Sequence, residues 1–221
     1  MSFTLPDGLT LKNKLGATNH DHLEQREHPK LAQRLIELYE GHGPEQTFDT
    51  AHLQALHIRN EVLANHRQLS DEQRNAIELA TGDERLALIV GRAGAGKTTM
   101  MKAAREIWEA SGYRVVGGAL AGKAAEGLEK EAGITSRTLA SWELAWKENR
   151  NRIDSSTVFV LDEAGMVASK QMASFIEAVS RAGAKLVLVG DAEQLQPIEA
   201  GAAFRAIVER TGYAELETIY R

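Results

Sequence analysis

With 221 residues, 43% of them apolar, and a net charge of −5, the chain has room for one full domain and an appendage. Its charge argues against a protein that coats polyanions, and the absence of cysteine excludes disulfides and thiolate-bound zinc. No apolar run nears the roughly 20 residues of a spanning helix, and Met1–Pro6 lacks a secretory pattern, so a cytoplasmic protein with no membrane span is expected.

The first part of the chain reads as loop and helix. All seven histidines, His20, His22, His28, His42, His52, His57 and His66, fall there, as do Pro6, Pro29 and Pro44. After a loop to Pro29, Leu31, Leu35 and Leu38 recur at helical spacing until Gly41-His42-Gly43-Pro44 stops the pattern. A second helix is expected from about Ala51 to His66, with Ala55, Ile58 and Val62 on one face. His20-Asp21-His22 with His28 shows no known metal-ligand spacing and reads as a solvated loop or interaction tail. The texture changes near Arg67, which divides residues 1–66, an N-terminal segment or linker, from residues 67–221.

From Leu69 onward, strands and helices alternate. Apolar β-type runs are expected at Leu86–Val90, Tyr113–Val116, Thr157–Leu161 and Lys185–Val189. Helices are expected at Thr98–Ala110, Lys123–Ala132, Leu139–Lys147 and Lys170–Ser180. Continuously apolar strands suit a parallel sheet buried on both faces. With right-handed crossovers the result is an α/β three-layer sandwich with a mainly parallel sheet.

Gly91-Arg92-Ala93-Gly94-Ala95-Gly96-Lys97-Thr98 fits the phosphate-loop pattern, and Thr99 follows it. Its glycines let successive backbone N–H groups point inward at phosphate oxygens, and the helix beginning near Lys97 adds its positive dipole end. Lys97 would reach the β- and γ-phosphates, and the Thr98 hydroxyl would ligate Mg²⁺. By chance the pattern arises at roughly one position in a few tens of thousands.

Val158–Leu161 is an apolar run that ends in Asp162-Glu163. Ligands of parallel sheets bind outside the carboxyl ends of strands, so Asp162 would emerge beside the loop and hold Mg²⁺. Glu163 would polarise the attacking water. Without the upstream loop, the pair would read as a strand end followed by a helix N-cap. Gln194 follows the next run and is placed to sense the γ-phosphate, while Gly190-Asp191 also fits an ordinary turn. Ser70 and Gln73 form a capping box, which is compatible with a nucleotide role for Gln73.

These segments, in this order, resemble the first RecA-like domain of superfamily 1 helicases, in particular the RecD-like branch. Gly118–Ala125 and Ser136–Leu139 look like that family's DNA-gripping motifs, and Ala132–Glu143 and Gly183–Asp191 are similar to the helicase part of TraA-type conjugative relaxases. The resemblance implies a P-loop NTPase that uses ATP and Mg²⁺ to move on single-stranded DNA. It places the phosphates on Gly91, Arg92, Ala93, Gly94, Ala95, Gly96, Lys97, Thr98 and Thr99, and adenine on Gln73. It makes Glu163 the base, has Gln194 couple γ-phosphate to DNA, and has Arg221 touch the γ-phosphate. It puts DNA on Ala121, Gly122, Lys123, Arg137 and Thr138.

Lys147 and Trp142 are further candidates for the DNA side, though Trp142 and Trp146, four apart on a helix, also fit a core. No nicking domain is assignable, and no second RecA-like domain follows Arg221 in this chain. The expectation is therefore weak or partner-dependent hydrolysis and no unwinding by the chain alone. The partner would be a second RecA-like domain or a full-length relaxase-helicase, since cations from such a domain are worth about 10³–10⁵ in rate. The alternative is a lone ATP-binding module with a regulatory or docking role. A small-molecule kinase is disfavoured because Ala192–Ala200 offers no lid arginine.

Overall fold

The computed structural model describes residues 3–4, 10–11, 50–191 and 202–219. The expected helix around Leu31–Leu38, the histidines before Thr50, Gln194 and Arg221 lie outside the described residues.

Two short strands, β1 (Phe3–Thr4) and β2 (Thr10–Leu11), pair antiparallel. The main sheet has six parallel strands, β3 (Leu86–Gly91), β4 (Arg114–Ala119), β5 (Thr135–Thr138), β6 (Thr157–Leu161), β7 (Lys185–Gly190) and β8 (Ala214–Leu216). Their spatial order is β5-β4-β6-β7-β3-β8. Seven helices accompany them among the described residues: α1 (Thr50–Asn65), α2 (Asp71–Thr81), α3 (Lys97–Ala110), α4 (Gly122–Ala132), α5 (Leu139–Lys147), α6 (Ser169–Ala182) and α7 (Ala202–Thr211).

Alternation along the strands creates two cores. Leu86, Leu88, Val90, Phe159 and Leu161 face one layer, where α5, α6 and α7 supply Trp142, Phe175, Ile176 and Phe204. Ala87, Ile89, Val158, Val160, Val187 and Val189 face the other, against Ile77 of α2, Met100, Met101 and Ile107 of α3, and Leu128 of α4. Both strand faces are buried, which explains the unbroken apolar runs. The architecture is a three-layer α/β sandwich, as the alternation implied. Met100 and Met101 are packing residues, both essentially inaccessible.

The sequence reading missed four strands and one helix: β1 and β2 lie in the stretch read as loop, and β5, β8 and α7 were not expected either. Thr135-Ser136-Arg137-Thr138 is an edge strand, half exposed and polar, so it carries no apolar run. β8 is only three residues long, and the pattern of α7 is short. The end of α1 joins the second core through Leu63, and His66 Nε2 lies 2.6 Å from Glu106 Oε2 on α3. The change of texture near Arg67 therefore does not coincide with a gap in packing.

Candidate functional site: a phosphate loop beside strand-end carboxylates

β3 delivers the chain to Gly91, where it turns sharply into α3. Gly94 and Gly96 adopt left-handed φ values of 81° and 73°, which side chains disfavour, so the turn needs glycine at both positions. Gly96 is the N-cap of α3 and has no side chain with which to cap it. The N–H groups of the first turn, including Thr98 and Thr99, have no acceptor within the helix. They and the helix dipole face the loop's concavity, where an anion is favoured. Arg92, Ala93 and Gly94 are exposed.

Lys97 folds back on the loop. Its Nζ donates to the carbonyl oxygens of Gly91 at 2.6 Å and Arg92 at 2.8 Å. Burial pushes its pKa down, while Asp191, Asp162 and Glu163 oppose that shift. Three carboxylates from two neighbouring strand ends thus act electrostatically on one ammonium. Asp191, at the end of β7, accepts the amide of Ala93 at 3.2 Å and ties the loop to the sheet.

β6 ends at Leu161, and the Asp162 amide donates to the Gly118 carbonyl of β4 at 2.9 Å. The side-chain Oδ1 of Asp162 accepts the Glu163 amide at 2.8 Å. Burial raises the Asp162 pKa, against that hydrogen bond and Lys97. Glu163 is raised as well, by burial first and by Asp162 second. Glu163 occupies a left-handed conformation, φ 53° and ψ 34°, which a side chain adopts only at a cost. A short 3₁₀ turn, Ala164–Met166, follows it.

Gln73 is buried, and both ends of its amide are engaged. Oε1 accepts the Ser70 amide at 3.0 Å, and Nε2 donates to the Gly96 carbonyl at 3.2 Å. The capping box is complete. Gln73 thus braces the phosphate loop, and one N–H of Nε2 is left for any base.

The DNA candidates gather at the carboxyl ends of β4 and β5. Ala121, Gly122 and Lys123 are exposed at the start of α4, and Ala121 is an N-cap without a side-chain bond. Arg137 pairs in register with Gly118, and Thr138 with Ala119. The Arg137 guanidinium lies 5.6 Å from the centroid of the Trp142 ring, and Thr138 caps α5 by accepting the Ser141 amide at 3.2 Å. Trp142 itself is buried, with its indole N–H bonded to the Gly117 carbonyl at 2.8 Å, so it is a core residue that supports Arg137. Lys147 does not join this group. It sits at the far end of α5, about 12 Å along the helix axis from its start.

The reading of residues gave Asp191 no role. A carboxylate just beyond an apolar strand is the same signal that singled out Asp162, and here it belongs to the strand that lies between β6 and β3.

The loop, the parallel sheet and the acidic strand ends define a P-loop nucleoside-triphosphatase domain with a RecA-like sheet. A family model described as an AAA domain matches residues 68–221, and the chain belongs to that AAA domain family. It is 73% identical over 168 residues to a probable conjugal transfer protein TraA of Sinorhizobium fredii, covering 74% of this chain and 15% of that protein. It is 74% identical over 160 residues to the conjugal transfer protein TraA of Agrobacterium fabrum, covering 72% of this chain and 14% of that one. With the ATP-dependent RecD2 DNA helicase of Deinococcus radiodurans it shares 32% over 157 residues, or 69% of this chain and 22% of the relative. The chain therefore spans only 14–15% of the length of these conjugal transfer relatives. The resemblance drawn from the motifs, to the first RecA-like domain of RecD-like helicases in TraA-type proteins, agrees with these relatives. Among the described residues, no helix is long and apolar enough to cross a membrane.

Proposed function

We infer that residues 67–221 form the first RecA-like half of an ATP-driven DNA motor in a conjugative relaxase-helicase, with residues 1–66 as the segment leading into it. The observation that carries this reading is the glycine-turned loop at the end of β3, with Lys97 Nζ held on its Gly91 and Arg92 carbonyls and Asp191 fastened to its Ala93 amide. The relatives' printed names supply the setting, namely conjugal transfer and ATP-dependent DNA helicase activity.

Gly91 to Thr99 would hold the phosphates, with Lys97 leaving the Gly91 and Arg92 carbonyls for a phosphate oxygen. The donor set suits magnesium: the Thr98 hydroxyl and the Asp162 carboxylate are hard oxygens. A magnesium ion bound there would neutralise phosphate charge. Glu163 would orient a water molecule and take its proton as the water oxygen bonds to the γ-phosphorus and the bond to the β,γ-bridging oxygen breaks. A carboxylate whose pKa is raised by burial is the better base for that transfer. Gln194 and Arg221 complete the reading through motif resemblance alone, coupling the γ-phosphate to DNA and touching it.

Single-stranded DNA would cross Ala121, Gly122, Lys123, Arg137 and Thr138. A second RecA-like domain, or a full-length relaxase-helicase, would supply further cations at the γ-phosphate. The compartment is the cytoplasm, where ATP and the transferred strand meet. The test is phosphate release by the purified chain with and without single-stranded DNA. Glu163→Gln is expected to keep nucleotide binding and lose DNA-stimulated release. Stimulated release from that variant at the native rate overturns the assignment.

A further inference from the structure

The first turn of α2 faces in two directions. Gln73 reaches the phosphate loop at the Gly96 carbonyl. Its neighbour Glu72 reaches the chain that leaves β8. Glu72 Oε2 accepts the amides of Glu217 and Thr218, each at 3.1 Å, and Oε1 accepts the Thr218 hydroxyl at 3.1 Å. That chain also touches the loop directly. Leu216 pairs with Gly91, the first residue of the loop, and a Cβ placed on Gly91 would fall 2.9 Å from Leu216 Cβ.

Glu217, Thr218 and Ile219 are exposed. Hydrogen bonds in contact with water add little to stability, because water replaces them readily. Three of them converging on one carboxylate do fix direction. The carboxylate is itself held by its place in the first turn, where negative charge complements the helix dipole.

We propose that Glu72 is a positioning residue for the nucleotide reaction. It fastens the chain after Leu216 to the same helical turn that braces the phosphate loop, so nucleotide binding and the direction of that chain are coupled. A shift of Gly96 as the loop closes on phosphate is carried through Gln73 to the turn, and through Glu72 to Glu217 and Thr218. The inference rests on the nucleotide-binding reading.

The experiment follows amide hydrogen exchange at residues 214–219 with and without ATP and magnesium, together with nucleotide affinity by fluorescence titration. It compares the native chain with Glu72→Ala, Glu72→Gln and Asp71→Ala. Asp71→Ala removes a first-turn charge without touching the strap, and Glu72→Gln keeps one acceptor oxygen if the alanine variant folds poorly. The native chain is expected to bind nucleotide and slow exchange at Glu217 and Thr218 by at least about fivefold, the lower end for coupled sites. Glu72→Ala abolishes that response and weakens binding by a similar factor, Glu72→Gln is intermediate, and Asp71→Ala matches native. Binding without any change of exchange at Glu217 and Thr218 overturns the coupling and leaves the function intact. An equal loss in Asp71→Ala reduces Glu72 to a helix-end charge and also overturns it. No binding by the native chain overturns both.

Discussion

The Lys97 ammonium lies 2.6 Å from the carbonyl oxygen of Gly91, inside the loop that both residues belong to. The cation that the triphosphate needs is stored against the loop's own backbone, and burial disfavours its charge. Phosphate oxygens would exchange weak partners for strong ones.

Lys97→Ala should therefore affect binding more than folding. A charge-assisted hydrogen bond is worth about 1.5–3 kcal/mol, or roughly tenfold to a hundredfold in affinity. Calorimetric titration with ATP and magnesium is expected to show a loss of that size. The thermal midpoint of the nucleotide-free chain should hardly move, since a desolvated charge is removed along with its two backbone bonds.

Asp162 and Glu163 have pKa values above the ordinary carboxylate range. Between that range and their folded values, the folded chain holds more protons than the unfolded one. Stability from these groups is thus complete at acid pH and is lost as pH rises through the folded values. Above the folded values, both carboxylates are ionised and cost stability. Asp162→Asn retains an Oδ1 to accept the Glu163 amide, and should raise the thermal midpoint at pH 7.5 while magnesium-dependent nucleotide binding falls. A lowered midpoint contradicts the burial argument.

Arg137 is exposed and rests over the Trp142 ring. If it meets a phosphate of a single strand, Arg137→Ala should weaken binding to all sequences alike. The slope of log affinity against log salt should also flatten by about 0.7, one counterion's worth. Fluorescence anisotropy across a salt series measures both. An unchanged slope removes Arg137 from the DNA path.

Much of the fold was legible because β3, β6 and β7 are buried on both faces and so read as unbroken apolar runs. The phosphate loop was legible because its glycines are dictated by backbone geometry. β5 was hidden by its place at the sheet edge, where Thr135 and Arg137 face water. The double engagement of Gln73 and the strap on Glu72 depend on residues 23 and 145 positions away in sequence. No local pattern records such contacts.

Gly117 shows how closely that edge packs. A Cβ there would fall 2.3 Å from Ser136 Oγ and 2.8 Å from Leu128 Cδ2. Gly117→Ala should cost about 1–3 kcal/mol, as overpacking does. Urea denaturation checks it, and an unchanged midpoint contradicts the packing at β4 and β5.

The most direct measurement is a calorimetric titration of the purified chain with ATP, with and without magnesium. The account predicts saturable binding that magnesium strengthens and that Lys97→Ala weakens at least about tenfold. No heat of binding up to millimolar nucleotide, or binding indifferent to both magnesium and Lys97, would contradict it.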